Sequence, residues 1–328
     1  MFKRSTLAAV AACMAVPVWS LAQPALAQTP FPTKPITWVV GFAPGGGVDG
    51  VTRLVAAKLS QNLGQQVVVE NRPGASSIIA AQYVAQAPAD GHTLLSIEQG
   101  IMLFNAAMYS RLPYDAARDF TPITNMIKAP LLLAVGANVP AADLGALIDL
   151  AKRRPDALSY GSPGRGLAHH IAMEVFKDRT GIQVAEIQYK GIAPVIQDVT
   201  GGQVPVAVID TVVILPHLKS GKIRALASFS KARLSVTPQI PSLAELGFAD
   251  MDIAPIVGVG APKATPREII NRLNAEIVRA VRDPEVSAKL NGLGLEIVAD
   301  SPEQFAAFLE AESRRLLPVV KRLDIKLD

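Results

Sequence analysis

The sequence predicts an α/β protein of two domains, each a mostly parallel β-sheet with helices on both faces. Short β-branched runs alternate with stretches of helical periodicity from residue 36 onwards, and the same alternation restarts after residue 130. No low-complexity linker separates the two series, so crossing strands are a more natural connection than a tether. A chain of 328 residues, half of them hydrophobic, is long enough to bury two such cores.

The first 27 residues are predicted to be a secretion signal that is removed from the mature protein. Lys3 and Arg4 give a positive start, residues 6–18 form an apolar run, and a small-residue cleavage pattern ends at Ala27. The apolar run is too short to span a bilayer, and no later stretch offers the about 20 apolar residues that a span needs. We therefore expect a soluble protein exported to the periplasm.

Cys13 offers an alternative interpretation, in which the signal is that of a lipoprotein and Cys13 is the lipidated residue. Only residues 7–12 would then serve as the hydrophobic run, which disfavours this alternative. Cys13 is the only cysteine of the sequence. The mature chain is therefore expected to have no disulfide, no thiolate nucleophile and no cysteine-ligated metal.

The predicted elements follow from hydrophobic periodicity and from the positions of glycine and proline. Apolar residues recur at helical spacing through 49–63, for example, and Gly64 follows the last of them. The predicted strands are 36–40, 67–70, 93–97, 131–135, 159–160, 185–189, 204–209, 223–228 and 253–259. The predicted helices are 49–63, 77–86, 143–153, 167–179, 194–200, 212–220, 266–282 and 302–322.

Charge and composition exclude some functions. The sequence has 32 Lys and Arg against 28 Asp and Glu, and aromatic residues make up only 5%. A net charge of +4 without a basic cluster does not give the footprint of a nucleic-acid-binding protein, and so few aromatics do not make a stacking surface for single strands. We expect no nucleic-acid partner.

The run from Gly45 to Gly50 fits the dinucleotide-binding pattern G-x-G-x-x-G, and Glu70 stands where that pattern needs an acidic residue. However, Asp49 would place a carboxylate against the pyrophosphate, and an exported protein would meet little NAD. We therefore disfavour a nucleotide-binding function and expect no cofactor.

Three glycine-rich turns, each between a predicted strand and a predicted helix, are better explained as sites for an anion. They lie at residues 44–49, 74–77 and 161–167. Backbone N–H groups at a helix start, together with the helix dipole, favour negative charge. Any one turn could simply need glycine for its bend, but three at the carboxyl ends of strands indicate a cleft for a small carboxylate.

The sequence contains no convincing catalytic or metal-binding motif. Tyr160 stands where a nucleophile elbow around Ser162 would need glycine. His169 and His170 are adjacent, so they cannot chelate a metal from one helix face. We therefore expect no catalytic residues, no metal and no enzymatic activity, which leaves an exported hydrolase or nucleotide-binding enzyme as the least favoured alternative.

Several blocks, in this order along the chain, resemble the Bug family of periplasmic solute-binding receptors, which serve tripartite tricarboxylate transporters (TctC-like receptors). The resemblance covers residues 30–328. The blocks are Pro44-Gly45-Gly46-Gly47-x-Asp49, residues 67–75 (VVVENRPGA), Pro88-x-Asp90-Gly91, residues 112–115 (LPYD), Tyr189-Lys190-Gly191 and Leu215-Pro216-His217.

The resemblance implies a type II-like periplasmic-binding-protein fold whose two lobes clamp a ligand in the cleft between them. The lobes would comprise residues 28–127 plus 252–328, and residues 128–251. It also implies a monomer that delivers a small organic acid to the membrane subunits of a tripartite transporter. The alternative is a receptor of the same fold that presents its ligand to a sensor kinase in a two-component system.

The resemblance, together with the glycine-rich turns, indicates which residues line the cleft. Asp49 is more readily explained as a helix cap than as a ligand contact, Lys190 could be a solvated loop charge, and Asp210 could orient waters or a donor group. Glu98 has two interpretations. It faces the ligand, either as a neutral carboxyl group or beside a cationic or hydrogen-bond-donating group of the ligand, or it caps the helix that follows. The candidates are Phe42, Ala43, Gly46, Gly47, Val48, Asp49, Ser76, Ser77, Glu98, Ser162, Arg165, Gly166, Leu167, Lys190 and Asp210.

The sequence departs from the family pattern at three of these places. Val48 stands where the family often has Thr, and Leu167 where it often has a polar residue. Ser76-Ser77-Ile78 stands where a small Gly-Gly-Asn run is common. The lost hydroxyls and the added Ile78 imply a ligand less polar than a hydroxylated tricarboxylate.

Overall fold

The computed structural model describes residues 31–155 and 157–327. The predicted signal peptide and Cys13 lie outside the described residues. The strands are β1 (Ile36–Val40), β2 (Val67–Asn71), β3 (Thr93–Ile97), β4 (Phe120–Lys128), β5 (Leu131–Gly136), β6 (Ser159–Ser162), β7 (Ala185–Gln188), β8 (Val206–Asp210), β9 (Ile223–Ser228), β10 (Ile256–Pro262) and β11 (Glu296–Ile297).

The helices are α1 (Gly47–Leu63), α2 (Ile78–Ala85), α3 (Asn105–Met108), α4 (Ala116–Asp119), α5 (Leu144–Arg153), α6 (Ala168–Thr180), α7 (Ile192–Gly201), α8 (Thr211–Lys219), α9 (Arg267–Val281), α10 (Pro284–Gly292) and α11 (Pro302–Arg322). A 3₁₀ turn, Ala75–Ser77, precedes α2, and a π-helical turn, Gly100–Phe104, precedes α3. None of the helices in the described ranges is long and apolar enough to cross a membrane.

The strands form two sheets, which confirms the predicted fold class. The first sheet has the order β11-β4-β10-β3-β1-β2 and the second the order β7-β6-β8-β5-β9. In the first sheet β1 pairs in parallel with β2 and β3. In the second sheet β6 pairs in parallel with β7 and β8. The strands between helices therefore have the parallel arrangement that the βα alternation predicts.

Both sheets are nevertheless mixed: four of the six strands of the first sheet run in one direction, as do four of the five strands of the second. β10 runs antiparallel to β3 and β4, and β5 runs antiparallel to β8 and β9. The cause is the path of the chain, which passes from β4 directly into β5 and returns through β10. A strand that arrives from the other sheet enters at the edge where the parallel strands end, so it must run against them. The two passages are hydrogen-bonded to each other, since Ala129 N donates to Pro255 O at 2.8 Å.

The predicted elements are present with small shifts at their ends, but the strands β4 and β11 and the helices α3, α4 and α10 were not predicted. β4 contains Pro122 and the polar pair Thr124 and Asn125, which argue against a buried strand. Pro122 is tolerated because the register with β10 is irregular at that point. The buried Thr124 hydroxyl and Asn125 N both donate to Asp300, which lies far along the chain.

Each sheet is covered by its own apolar core, and helix α11 contributes to both. Phe305, in its first turns, packs with Ile97 and Ile256 of the first sheet. Leu316 and Val320, near its end, pack with Phe176 and other residues around the second sheet. The two sheets are therefore connected by packing as well as by the crossing strands.

Candidate functional site

The first candidate region is the edge of the first sheet where β1, β2 and β3 end, here called the first edge. The loop between β1 and α1 begins there, and residues 43–47 of it are exposed. Gly46 is the N-cap, in extended conformation, and α1 starts at Gly47. Within the described residues the N–H groups of Gly47 and Val48 have no hydrogen-bond acceptor, as expected for the first turn of a helix. These two donors lie at the N-terminus of α1, where Gly47 is exposed and Val48 is half-buried.

Asp49 is turned into the protein rather than outward, since its side chain is only 3% exposed. Its carboxylate accepts hydrogen bonds from Gly45 N at 2.9 Å, Arg53 Nε at 3.0 Å and Asn71 Nδ2 at 2.8 Å. Burial alone would raise the pKa of Asp49, but these hydrogen bonds outweigh it and hold the pKa below its ordinary value. The carboxylate therefore joins the loop to the first turn of α1 through Gly45 N, whereas the N-cap residue Gly46 receives no side-chain cap.

The turn at residues 74–77 lies beside this loop. Ser77 Oγ donates to Gly41 O at 3.3 Å, and Ser76 Oγ is 3.0 Å from the hydroxyl of Tyr109. Ala75, Ser76 and Ser77 all have positive φ, between 46° and 66°. Left-handed backbone at three successive residues with side chains is strained, and strain of this kind collects at functional sites. The positive φ values explain why glycine suits positions 76 and 77, whereas Ile78 has an ordinary helical φ of −58°.

Glu98 follows β3 and contacts its own backbone. Its carboxylate accepts hydrogen bonds from the N–H groups of Gly100 and Ile101, at the start of the π-helical turn. Burial raises the pKa of Glu98 to about 7, although these two hydrogen bonds act in the opposite direction. The geometry agrees with the capping alternative for this residue.

The second candidate region is the edge of the second sheet where β6, β7 and β8 end, here called the second edge. Ser162 is the last residue of β6, and its hydroxyl is buried with no hydrogen-bond partner in the described part of the chain. Leu167 is the N-cap of α6 and offers no side-chain cap. The N–H groups of Ala168 and His169 have no acceptor among the described residues. The second edge therefore also presents free donors at a helix start.

Asp210, at the end of β8, joins two helix starts at the second edge. One carboxylate oxygen accepts from Val213 N at 3.3 Å and so caps α8. The other lies 3.3 Å from His169 Nε2, on the first turn of α6. Asp210 thus orients the imidazole of His169, a residue that was not among the candidates.

The side chains of Arg165 and Lys190, near the second edge, are both exposed. Arg165 Nε donates to Glu186 at 3.0 Å with half of its side chain exposed, and Lys190 is exposed. His170 lies beneath this loop, where its Nδ1 accepts from Gly166 N at 3.3 Å. Burial lowers the pKa of His170, against the opposing effect of Glu186.

The two edges are adjacent in space. A Cβ added at Gly166 would lie 2.8 Å from Met108 Cε, and the next residue, Tyr109, contacts Ser76 at the first edge. Near the crossing strands, Thr211 Oγ1 donates to Gly294 O at 2.7 Å. The loop at 162–167 therefore lies against elements that carry the loop at 74–77. No group of three or more metal-ligating side chains occurs within residues 31–155 and 157–327.

Comparisons with known proteins agree with this architecture. Residues 51–325 match the family model for the tripartite tricarboxylate transporter family receptor. The chain is 34% identical to the protein BugT of Bordetella pertussis over 308 residues, 94% of either chain. It also resembles a solved R. palustris protein with adipate (36% identity, TM-score 0.80, 90% of this chain and 100% of that one). A further similar structure is MatC of Rhodopseudomonas palustris with bound malate (30% identity, TM-score 0.78, 88% of this chain and 100% of that one).

Proposed function

The chain belongs to the tripartite tricarboxylate transporter receptor family, and we propose that it is an exported receptor that captures a small organic acid. The acid is held between two lobes, residues 28–127 with 252–328 and residues 128–251, and is delivered to the membrane subunits of a tripartite transporter. The receptor acts in the periplasm after cleavage following Ala27. Mass measurement of protein purified from the periplasm tests the export step, with Gln28 expected as the first residue.

The observation that carries this proposal is the pair of helix N-termini at the two adjacent edges. Free N–H groups of Gly47 and Val48 begin α1, and those of Ala168 and His169 begin α6. Each helix start carries roughly half an elementary positive charge. Two such starts suit a ligand with a carboxylate at each end, and the similar structures that contain adipate and malate support a dicarboxylate.

The side chains beside these donors favour an aliphatic dicarboxylate over a hydroxylated tricarboxylate. Val48 and Leu167 are partly buried apolar residues next to the free donors. Apolar surface gains about 25 cal/mol per Å² when a methylene chain covers it. A ligand hydroxyl buried there without a partner costs on the order of 1–3 kcal/mol.

Isothermal calorimetry with adipate, malate, benzoate and citrate tests the proposal. We expect adipate to bind at least about tenfold more tightly than citrate, a factor worth about 1.4 kcal/mol. Citrate as the tightest ligand would contradict the role given to Val48 and Leu167. Failure of every carboxylate to bind folded protein would contradict the receptor function itself.

A further inference from the structure

The side chain of Asn71, at the end of β2, makes contacts that the proposed function does not yet use. Asn71 pairs with Val40 in the parallel register of β1 and β2, so it stands beside the last residue before the glycine-rich loop. Its Nδ2 donates to Phe42 O at 3.0 Å and to Asp49 Oδ1 at 2.8 Å. Both amide protons are therefore committed, one to the start of the loop and one to the first turn of α1.

Arg53 completes the network on the exposed side. Its Nη2 donates to Asn71 Oδ1 at 2.6 Å, while its Nε donates to Asp49 Oδ1 and Oδ2 at 3.0 Å each. Asp49 in turn accepts from Gly45 N at 2.9 Å. These bonds fix the loop at Phe42 and at Gly45, on both sides of Ala43 and Pro44. Every oxygen and nitrogen of the Asn71 amide thus has a partner, which fixes the orientation of the side chain.

We infer that Asn71 is a positioning residue, which holds the loop in the conformation that directs the free N–H groups of Gly47 and Val48 at the ligand. The inference rests on the proposed function. Without Asn71, the loop would have to be ordered by the ligand itself, and that ordering cost would weaken binding. Glycines at 45–47 make the cost large, because glycine has the greatest backbone freedom to lose.

The chain offers a matched control in Asn274 on α9. Asn274 Nδ2 also donates to two carbonyl oxygens, Ile123 O at 2.9 Å and Asp300 O at 2.8 Å. Like Asn71, it is partly buried, and the hydrogen bonds of its side chain do not involve the loop. Asn71→Ala and Asn274→Ala therefore remove the same chemical groups and the same number of donated bonds, two each, from different places. Asn71→Ala also removes the solvent-exposed bond that Asn71 accepts from Arg53.

The experiment is calorimetry of full mature protein with adipate, paired with thermal unfolding without ligand. We expect the two variants to lose similar stability, while only Asn71→Ala loses affinity, by at least tenfold. The positioning role would be overturned if Asn71→Ala bound adipate as tightly as the wild type. It would also be overturned if Asn274→Ala lost as much affinity as Asn71→Ala. Wild-type protein that binds no carboxylate would instead overturn the proposed function, and this inference with it.

Asn71→Asp gives a readout that a general loss of stability would not produce. The new carboxylate would face Asp49, so one of the pair should take up a proton as the pH falls, despite Arg53 nearby. That proton restores a donor between the two side chains. We expect the affinity of Asn71→Asp for adipate, relative to wild type at the same pH, to recover as the pH falls from about 7 to about 4, the range in which one carboxylate of such a pair takes up a proton. A constant ratio across this range would count against the inference.

Discussion

Replacement of Gly47 by valine tests whether the free N–H groups at the start of α1 bind the ligand. A Cβ at Gly47 would meet nothing within 4 Å, and the residue lacks positive φ. The substitution therefore strains neither the packing nor the backbone. Because valine is a somewhat better helix residue than glycine, we expect the free energy of unfolding to change by less than about 0.5 kcal/mol.

The expected effect on binding is much larger. The three side-chain carbons of valine would enter the open space around the first turn of α1, through which a ligand must approach the N–H groups of Gly47 and Val48. A hydrogen bond to a charged group contributes about 1.5–3 kcal/mol, so losing one weakens binding by roughly 10- to 150-fold. Calorimetry with adipate measures this loss, and thermal unfolding without ligand checks the fold.

Gly50→Val is the matched control. Gly50 is exposed in the same helix, and an added Cβ there also meets nothing within 4 Å. Its N–H, however, already donates to Gly46 O at 2.9 Å, so it has no donor to offer a ligand. We expect wild-type affinity for this variant. Equal affinities for Gly47→Val, Gly50→Val and wild type would refute the role of the glycine-rich loop.

Three further substitutions test other features. Ala75→Gly should raise the free energy of unfolding by about 1 kcal/mol in calorimetry, because glycine tolerates the φ of 46°; an unchanged melting temperature would contradict the strain. Glu98→Gln should flatten the pH dependence of urea unfolding. Burial raises the pKa of Glu98 from 4.5 to about 7, so Glu98 ionises more readily in the unfolded chain than in the folded protein. The free energy of unfolding of the wild type should therefore fall as the pH rises through this range. An identical pH dependence in Glu98→Gln would refute this role of Glu98. Thr211→Val should lower the free energy of unfolding by about 1–3 kcal/mol, since the Gly294 carbonyl loses its donor; a change below about 0.5 kcal/mol would show that this bond contributes little.

The order of the strands and helices could be predicted from the sequence, and so could the position of the glycine-rich turns. These features depend on local patterns. Helical spacing from Val51 to Leu59, with Gly64 after the helix, sets the extent of α1 within a few residues. The βα alternation likewise places the ends of β1 and β2 at one edge, where the loop and the turn at 74–77 meet.

Other features depend on partners distant in the chain and could not be predicted. β4 is a strand despite Pro122 because β10 accommodates it and Asp300 satisfies its buried polar groups. The imidazole of His169 is oriented at the second edge by Asp210, which lies 41 residues away in the sequence. Asn71 likewise contacts Phe42, which lies 29 residues away.

Periodicity records which face of an element is buried, and glycine or proline records where the element ends. The sequence by itself therefore determined the fold class and the kind of donors that each edge presents. Which side chains hold those donors in place depends on strand register and on the path of the chain between the two sheets. Only the tertiary structure decided this, because a hydrogen bond forms between whichever groups folding brings within about 3 Å, however far apart they lie in the sequence.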